Sequence, residues 1–69
     1  MQKWTYCTLE WISNANSIRV TMPTGQENAY QGSYIQVTQI LNQLGQDGWE
    51  VVGCASAGTW LLWTLKRPA

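Results

Sequence analysis

One stretch of the chain, beginning at residue 33, has the spacing of an amphipathic helix, and this limits the fold more than any other feature. Ser33 and Gln36 match a capping box, in which the two residues satisfy each other's backbone N–H groups. The apolar stripe that follows has helical spacing and is formed by Val37, Ile40, Leu41 and Leu44. We therefore expect one helix, with one apolar side, in an otherwise extended chain.

The helix is expected to end within the sequence LNQLGQDGWEVVGC, at one of two glycines. Gly45 fits the first position beyond a helix that ends at Leu44, since glycine adopts the left-handed conformation without steric cost. Gly48 would then complete a turn, and Trp49 would begin a strand and fold back over the helix end. Glu50 is expected on the opposite face. This stretch is interpreted as a structural corner rather than a catalytic motif.

The other regular segments have the composition and alternation of β-strands. The predicted strands are residues 3–12, 18–22, 49–55 and 60–67. Residues 23–34 contain proline, two glycines and several polar residues, and they are predicted to form a long loop. The order β-β-α-β-β predicts a single α+β domain over residues 1–69. It has two layers, with one helix packed on one face of a four-stranded antiparallel sheet.

Large apolar side chains are predicted on both faces of this sheet, although one helix covers only one face. In the first strand, Trp4 and Tyr6 lie on one face, opposite to Cys7, Leu9 and Trp11. The last strand likewise separates Trp60 and Leu62 from Leu61, Trp63 and Leu65. Charged residues make up only 12% of the chain, so little repulsion keeps copies apart. We expect the uncovered face to form a homo-oligomer interface or to bind a ligand.

Several functions are disfavoured by composition. Without histidine, no Ser-His-Asp or Cys-His arrangement and no Cys/His zinc site forms. Cys7 and Cys54 are expected to be reduced, unreactive strand residues, and the four acidic residues show no paired spacing. We therefore expect no enzyme, cofactor or metal. The net charge of zero argues against binding to duplex DNA or RNA. With no signal or membrane-spanning pattern, a soluble, cytoplasmic protein is expected.

The aromatic residues suggest a ligand instead. Tryptophan and tyrosine stack on nucleobases, and a helix N-terminus favours phosphate. The first hypothesis is therefore a nucleotide-derived small molecule held in a pocket between subunits. The alternative is a structural or protein-interaction module whose aromatic face is only an oligomer interface. The candidate ligand-binding residues are Trp11, Arg19, Tyr30, Ser33, Tyr34 and Trp60. The first hypothesis expects all of them except Ser33 to approach a shared cleft.

The segments WTY, LNQLGQDGWEVV and LKRP together resemble domain-of-unknown-function family 4177, a family of small bacterial and phage proteins. The matching positions are Trp4, Tyr6, Leu41, Asn42, Leu44, Gly45, Gly48, Trp49, Glu50, Val52, Leu65, Lys66 and Arg67. The resemblance spans nearly the whole chain, although residues 12–32 are less typical. It implies a small sheet-and-helix domain and no established chemistry. In its compact, oligomeric build the chain is also similar to phage anti-defence proteins that sequester host nucleotide signals.

Overall fold

The computed structural model describes residues 2–69 and has a five-stranded antiparallel sheet with one helix. The elements in chain order are β1 (Trp4–Ile12), β2 (Ser17–Thr21), β3 (Glu27–Gln31), α1 (Tyr34–Gln46), β4 (Glu50–Ala57) and β5 (Trp60–Pro68). The spatial order of the strands is β3-β2-β1-β5-β4. The predicted α+β class is confirmed, whereas the predicted number of four strands is too low by one.

The additional strand, β3, lies inside the segment that was predicted as a loop. A tight turn precedes it, in which the Met22 N–H donates to the Gln26 carbonyl at 2.8 Å and the Gly25 N–H donates to the Met22 carbonyl at 2.8 Å. The turn directs β3 back along β2, where Ser17 pairs with Gln31 and Thr21 pairs with Glu27. Because the strand composition of β3 is poor, the pairing depends on this neighbouring edge rather than on local propensity.

The core lies between the helix and the middle of the sheet. Leu9 is fully buried and stands opposite Val20 on β2 and Trp63 on β5. The buried residues are Cys7, Leu9, Ile18, Val20, Val37, Leu44, Trp49 and Leu65, and those packed against them are Trp11, Met22, Ile40, Leu41 and Trp63. The predicted helix stripe and the predicted division of β1 into two faces are confirmed.

Both ends of α1 follow from local sequence. The capping box is present, with the Ser33 N–H donating to Gln36 Oε1 at 2.8 Å. At the other end, the prediction that Gly45 lies just beyond the helix is wrong, because α1 continues to Gln46 and the left-handed residue is Gly48, with a φ of 90°. Of the two glycines, Gly48 thus allows the chain to turn. Trp49, the next residue, is buried, and its backbone N–H donates to the Leu44 carbonyl at 3.0 Å, as expected for a corner residue.

Loss of one methylene from the buried core should reduce the free energy of unfolding more than loss of the same group from the exposed side of the helix. Ile18 is 0% exposed, whereas Ile35 is 51% exposed. We expect Ile18→Val to lower the free energy of unfolding by about 0.5–1.5 kcal/mol, because the core cannot fully close the space. The matched control, Ile35→Val, should change it by less than about 0.5 kcal/mol. Urea denaturation measures both, and equal losses would contradict this placement of the core.

Candidate functional site

The sheet face opposite the helix is left uncovered by residues 2–69, and we call it the open face. Many of its side chains come from alternate positions of β1 and β5, which pair antiparallel over nine residues. The open face includes Trp4, Tyr6, Thr8, Glu10 and Ile12 of β1, Trp60, Leu62, Thr64 and Lys66 of β5, and Arg19 of β2, which pairs with Glu10. Trp4 is 41% exposed and Tyr6 is 52% exposed. The open face therefore presents two large aromatic side chains to solvent.

Glu10 contacts two other side chains, Trp60 and Arg19, at one end of the open face. Its Oε2 accepts a hydrogen bond of 2.6 Å from the Trp60 indole Nε1, and its Oε1 lies 3.9 Å from the Arg19 guanidinium. The short bond to a charged acceptor is the stronger contact, since an exposed ion pair contributes less than about 1 kcal/mol. Glu10 was not among the predicted site residues. Its cross-strand register with Arg19 and Leu62 is the signal that locates it, and this register is not apparent in the linear sequence.

Aromatic and cationic groups are combined at the other end of the open face. The Lys66 ammonium lies 4.0 Å from the centroid of the Trp4 ring, and Lys66 pairs across the strands with Tyr6. A cation over an aromatic face is stabilised by the ring quadrupole, by about 0.5–1 kcal/mol at an exposed site. The contact brings the Lys66 ammonium and the Trp4 ring together on the open face.

A second aromatic group lies on the helix side of the sheet, around Gly32. The Trp11 indole donates to the Gly32 carbonyl at 3.2 Å. Tyr30 and Tyr34 flank Gly32 in the chain and are 45% and 67% exposed. We call Trp11, Tyr30, Gly32, Ser33 and Tyr34 the helix-start corner.

The helix cap already uses donors that a phosphate would need. Ser33 Oγ accepts from the Ile35 N–H at 3.4 Å, and Gln36 Oε1 accepts from both the Ser33 N–H and the Ser33 hydroxyl. Gly32 permits this arrangement, because a Cβ at that position would lie 2.5 Å from the Gln36 side chain. The positive end of the helix is therefore partly satisfied by the chain itself.

The six predicted ligand-binding residues fall into two groups on opposite sides of the sheet. Trp11, Tyr30, Ser33 and Tyr34 belong to the helix-start corner, whereas Arg19 and Trp60 lie beside Glu10 on the open face. The expectation that both groups approach one cleft is not met within a single chain. The surface formed by residues 2–69 also contains no pocket. The physical reason is the strand alternation, which places neighbouring residues on opposite faces.

The two cysteines differ in their surroundings, and both are free thiols. Burial raises the pKa of the Cys7 thiol, and the positive charge of Arg67 offsets part of that increase. The raised pKa keeps this thiol protonated at neutral pH and makes it a poor nucleophile. Cys54 is exposed on β4, at the edge of the sheet.

Among residues 2–69, no group of acidic or cysteine side chains is arranged to hold a metal ion. No helix in the same range has the length and apolar character needed to cross a membrane.

Comparisons with family models, curated proteins and solved structures found no match to this chain. The resemblance to family 4177 therefore stays a prediction, and the residues themselves carry the functional argument.

Removal of the Glu10 carboxylate should release Trp60 without disturbing Trp11. We expect Glu10→Ala to shift the Trp60 indole N–H resonance and speed its exchange with solvent, because its 2.6 Å hydrogen bond is lost. The Trp11 indole is an internal control, since its acceptor is the Gly32 carbonyl. Two-dimensional ¹H–¹⁵N NMR resolves both signals. An unchanged Trp60 resonance, or an equal shift of both resonances, would contradict the role assigned to Glu10.

Proposed function

We propose that this chain is a non-catalytic binding protein that acts as a homo-oligomer, with the open face as the interface between subunits. The observation that carries the proposal is the exposure of Trp4 and Tyr6 on a sheet face that the single helix leaves uncovered. Tryptophan and tyrosine are enriched at protein interfaces, where they bury a large area at low entropic cost.

Physical considerations of size and charge support self-association. A domain of this size buries only about 60% of the surface of its unfolded chain, so its core alone supplies little stability. The net charge is zero, with four basic and four acidic residues. Two copies therefore approach with little electrostatic repulsion. Burial of the open face adds the apolar contact that the small core lacks.

A charge at the centre of the aromatic end should weaken this interface. We expect Tyr6→Glu to raise the dissociation constant of the oligomer by at least about tenfold, because a carboxylate loses its hydration when the face is buried. The folded monomer should tolerate the change, since Tyr6 is half exposed and Lys66 stands opposite it. Sedimentation velocity over a range of protein concentrations measures the effect.

The control for Tyr6→Glu is Tyr34→Glu, which changes the same residue type on the helix side. Tyr34 is 67% exposed and begins α1, where a negative charge is favourable. This variant should keep the oligomer of the unmodified protein. Two variants with the same loss of association, or a protein that is monomeric at every concentration, would overturn the open face as the interface.

A second candidate function is the sequestration of a nucleotide-derived small molecule by the oligomer, as in phage anti-defence. The observation that favours it is the pair of exposed tyrosines at the helix-start corner, Tyr30 and Tyr34, on either side of Gly32. An aromatic ring stacks on a base with about 1–3 kcal/mol per base. Because one chain has no pocket within its described residues, the ligand would be enclosed by a neighbouring subunit.

A nucleotide ligand should raise the melting temperature of the oligomer. At about 100 times the dissociation constant the gain is about 2.7 kcal/mol, which corresponds to a rise of roughly 10 °C or more for a domain of this size. Thermal-shift assays with adenine nucleotides, cyclic nucleotides and ADP-ribose derivatives test this.

Matched tyrosine variants then locate the nucleotide site. Tyr34→Ala should weaken binding by about tenfold or more, because the stacking contact is lost, while Tyr6→Phe on the open face should not. If none of these nucleotides changes the melting temperature, the ligand hypothesis is wrong, and a protein-interaction module is the remaining hypothesis.

A further inference from the structure

β4 is an edge strand that contributes none of its own side chains to the core. All eight residues from Glu50 to Ala57 are exposed, although the strand is paired along β5. Among the described strands its other side has no neighbour. A long edge with free backbone N–H and C=O groups is a template for another strand. Natural edges of this kind are usually blocked by charges, by proline or by brevity.

Beyond its irregular start, the sequence of β4 protects this edge with neither charge nor proline. From Val51 to Ala57 it contains no charged residue and no proline, and its last five residues are Gly-Cys-Ala-Ser-Ala. The register shift between Val51 and Gly53 limits the regular part of the strand to Gly53–Ala57. The opposite edge, β3, has five residues, as many as the regular part of β4, but it includes the charged residue Glu27. The two edges of the sheet are therefore not equivalent.

We propose that β4 pairs antiparallel with β4 of a second copy of this chain, about a twofold axis at Ala55. This register aligns the regular segments of both copies. Ala55 faces Ala55 of the partner subunit, and Cys54 faces Ser56 of the partner subunit. The pairing is self-complementary. The small side chains offer no steric obstacle, and Glu50 of each copy lies well away from the partner's Glu50 because the strands run in opposite directions.

A second copy fits this edge better than β3 of a neighbour does. Pairing of β4 with β3 would be head-to-tail, would place Glu27 in the ladder and would leave free edges that continue into a filament. Pairing of β4 with itself closes after two copies and forms a continuous ten-stranded sheet. This interface is distinct from the open face, since it uses the strand edge and backbone hydrogen bonds rather than the aromatic side chains.

Charge variants on the helix side of β4 test the pairing without altering the open face. Cys54 and Ser56 stand beside Trp63 and Leu61, on the face that carries the helix, and both are exposed. We expect Cys54→Glu/Ser56→Glu to halve the mass of the oligomer in sedimentation velocity, because like charges then stand directly opposite across the axis. The matched variant Cys54→Glu/Ser56→Lys should restore the mass, because it places opposite charges there.

Disulfide trapping tests the register independently of these charges. In a Cys54→Ser background, Ala55→Cys should oxidise to a covalent dimer, because directly opposite positions lie within the Cα distance that a disulfide spans. Ala57→Cys in the same background should stay monomeric on a non-reducing gel, since it would face Gly53 of the partner subunit. Cys7 is buried and does not interfere.

The outcomes separate this proposal from the open-face interface. A mass that is unchanged in Cys54→Glu/Ser56→Glu, or equal cross-linking at positions 55 and 57, would overturn pairing through β4. Either result would leave the test of Tyr6→Glu unaffected. Conversely, a loss of association in Tyr6→Glu with normal cross-linking at position 55 would show that both interfaces exist and act separately.

Discussion

The single helix is narrower than the five-stranded sheet on which it packs, and this difference determines which surfaces of the sheet are buried. A helix of 13 residues is about 20 Å long and 10–12 Å across, whereas neighbouring strands lie about 4.8 Å apart. It therefore covers two or three strands on one face. The buried residues on the sheet lie on β1, β2 and β5, beneath the helix. The outer strand β4 and the whole open face lie beyond its reach.

The surfaces beyond the helix differ in the chemistry they present. The open face offers aromatic side chains, some already held by cross-strand contacts such as Lys66 on Trp4 and Glu10 on Trp60. The edge of β4 offers backbone hydrogen-bonding groups with small side chains around them. A side-chain surface and a backbone edge suit different kinds of contact, so the two proposed interfaces can be tested separately.

The fold could be predicted from the sequence wherever a local pattern determines the conformation. The capping residues and the apolar stripe located α1, and period-two alternation located the two faces of β1. The pattern failed at β3, because its residues pair with β2 only after the turn at Gly25 brings them there. The site was harder still. Glu10 joins Arg19 and Trp60 through a three-strand register, and no periodicity within one segment reveals such a contact.

The two functional hypotheses require different symmetries of the proposed homo-oligomer. Twofold packing of open faces places Arg19 and Trp60 in the interface with the open face of the partner subunit and leaves the helix-start corner free. A pocket that uses all six predicted residues instead needs the open face of one subunit to meet the helix-start corner of the next. That contact is head-to-tail, so it generates a ring or a filament rather than a closed dimer. A nucleotide site formed by all six residues is therefore incompatible with a simple twofold open-face dimer, whereas a site at Tyr30 and Tyr34 alone is compatible with it.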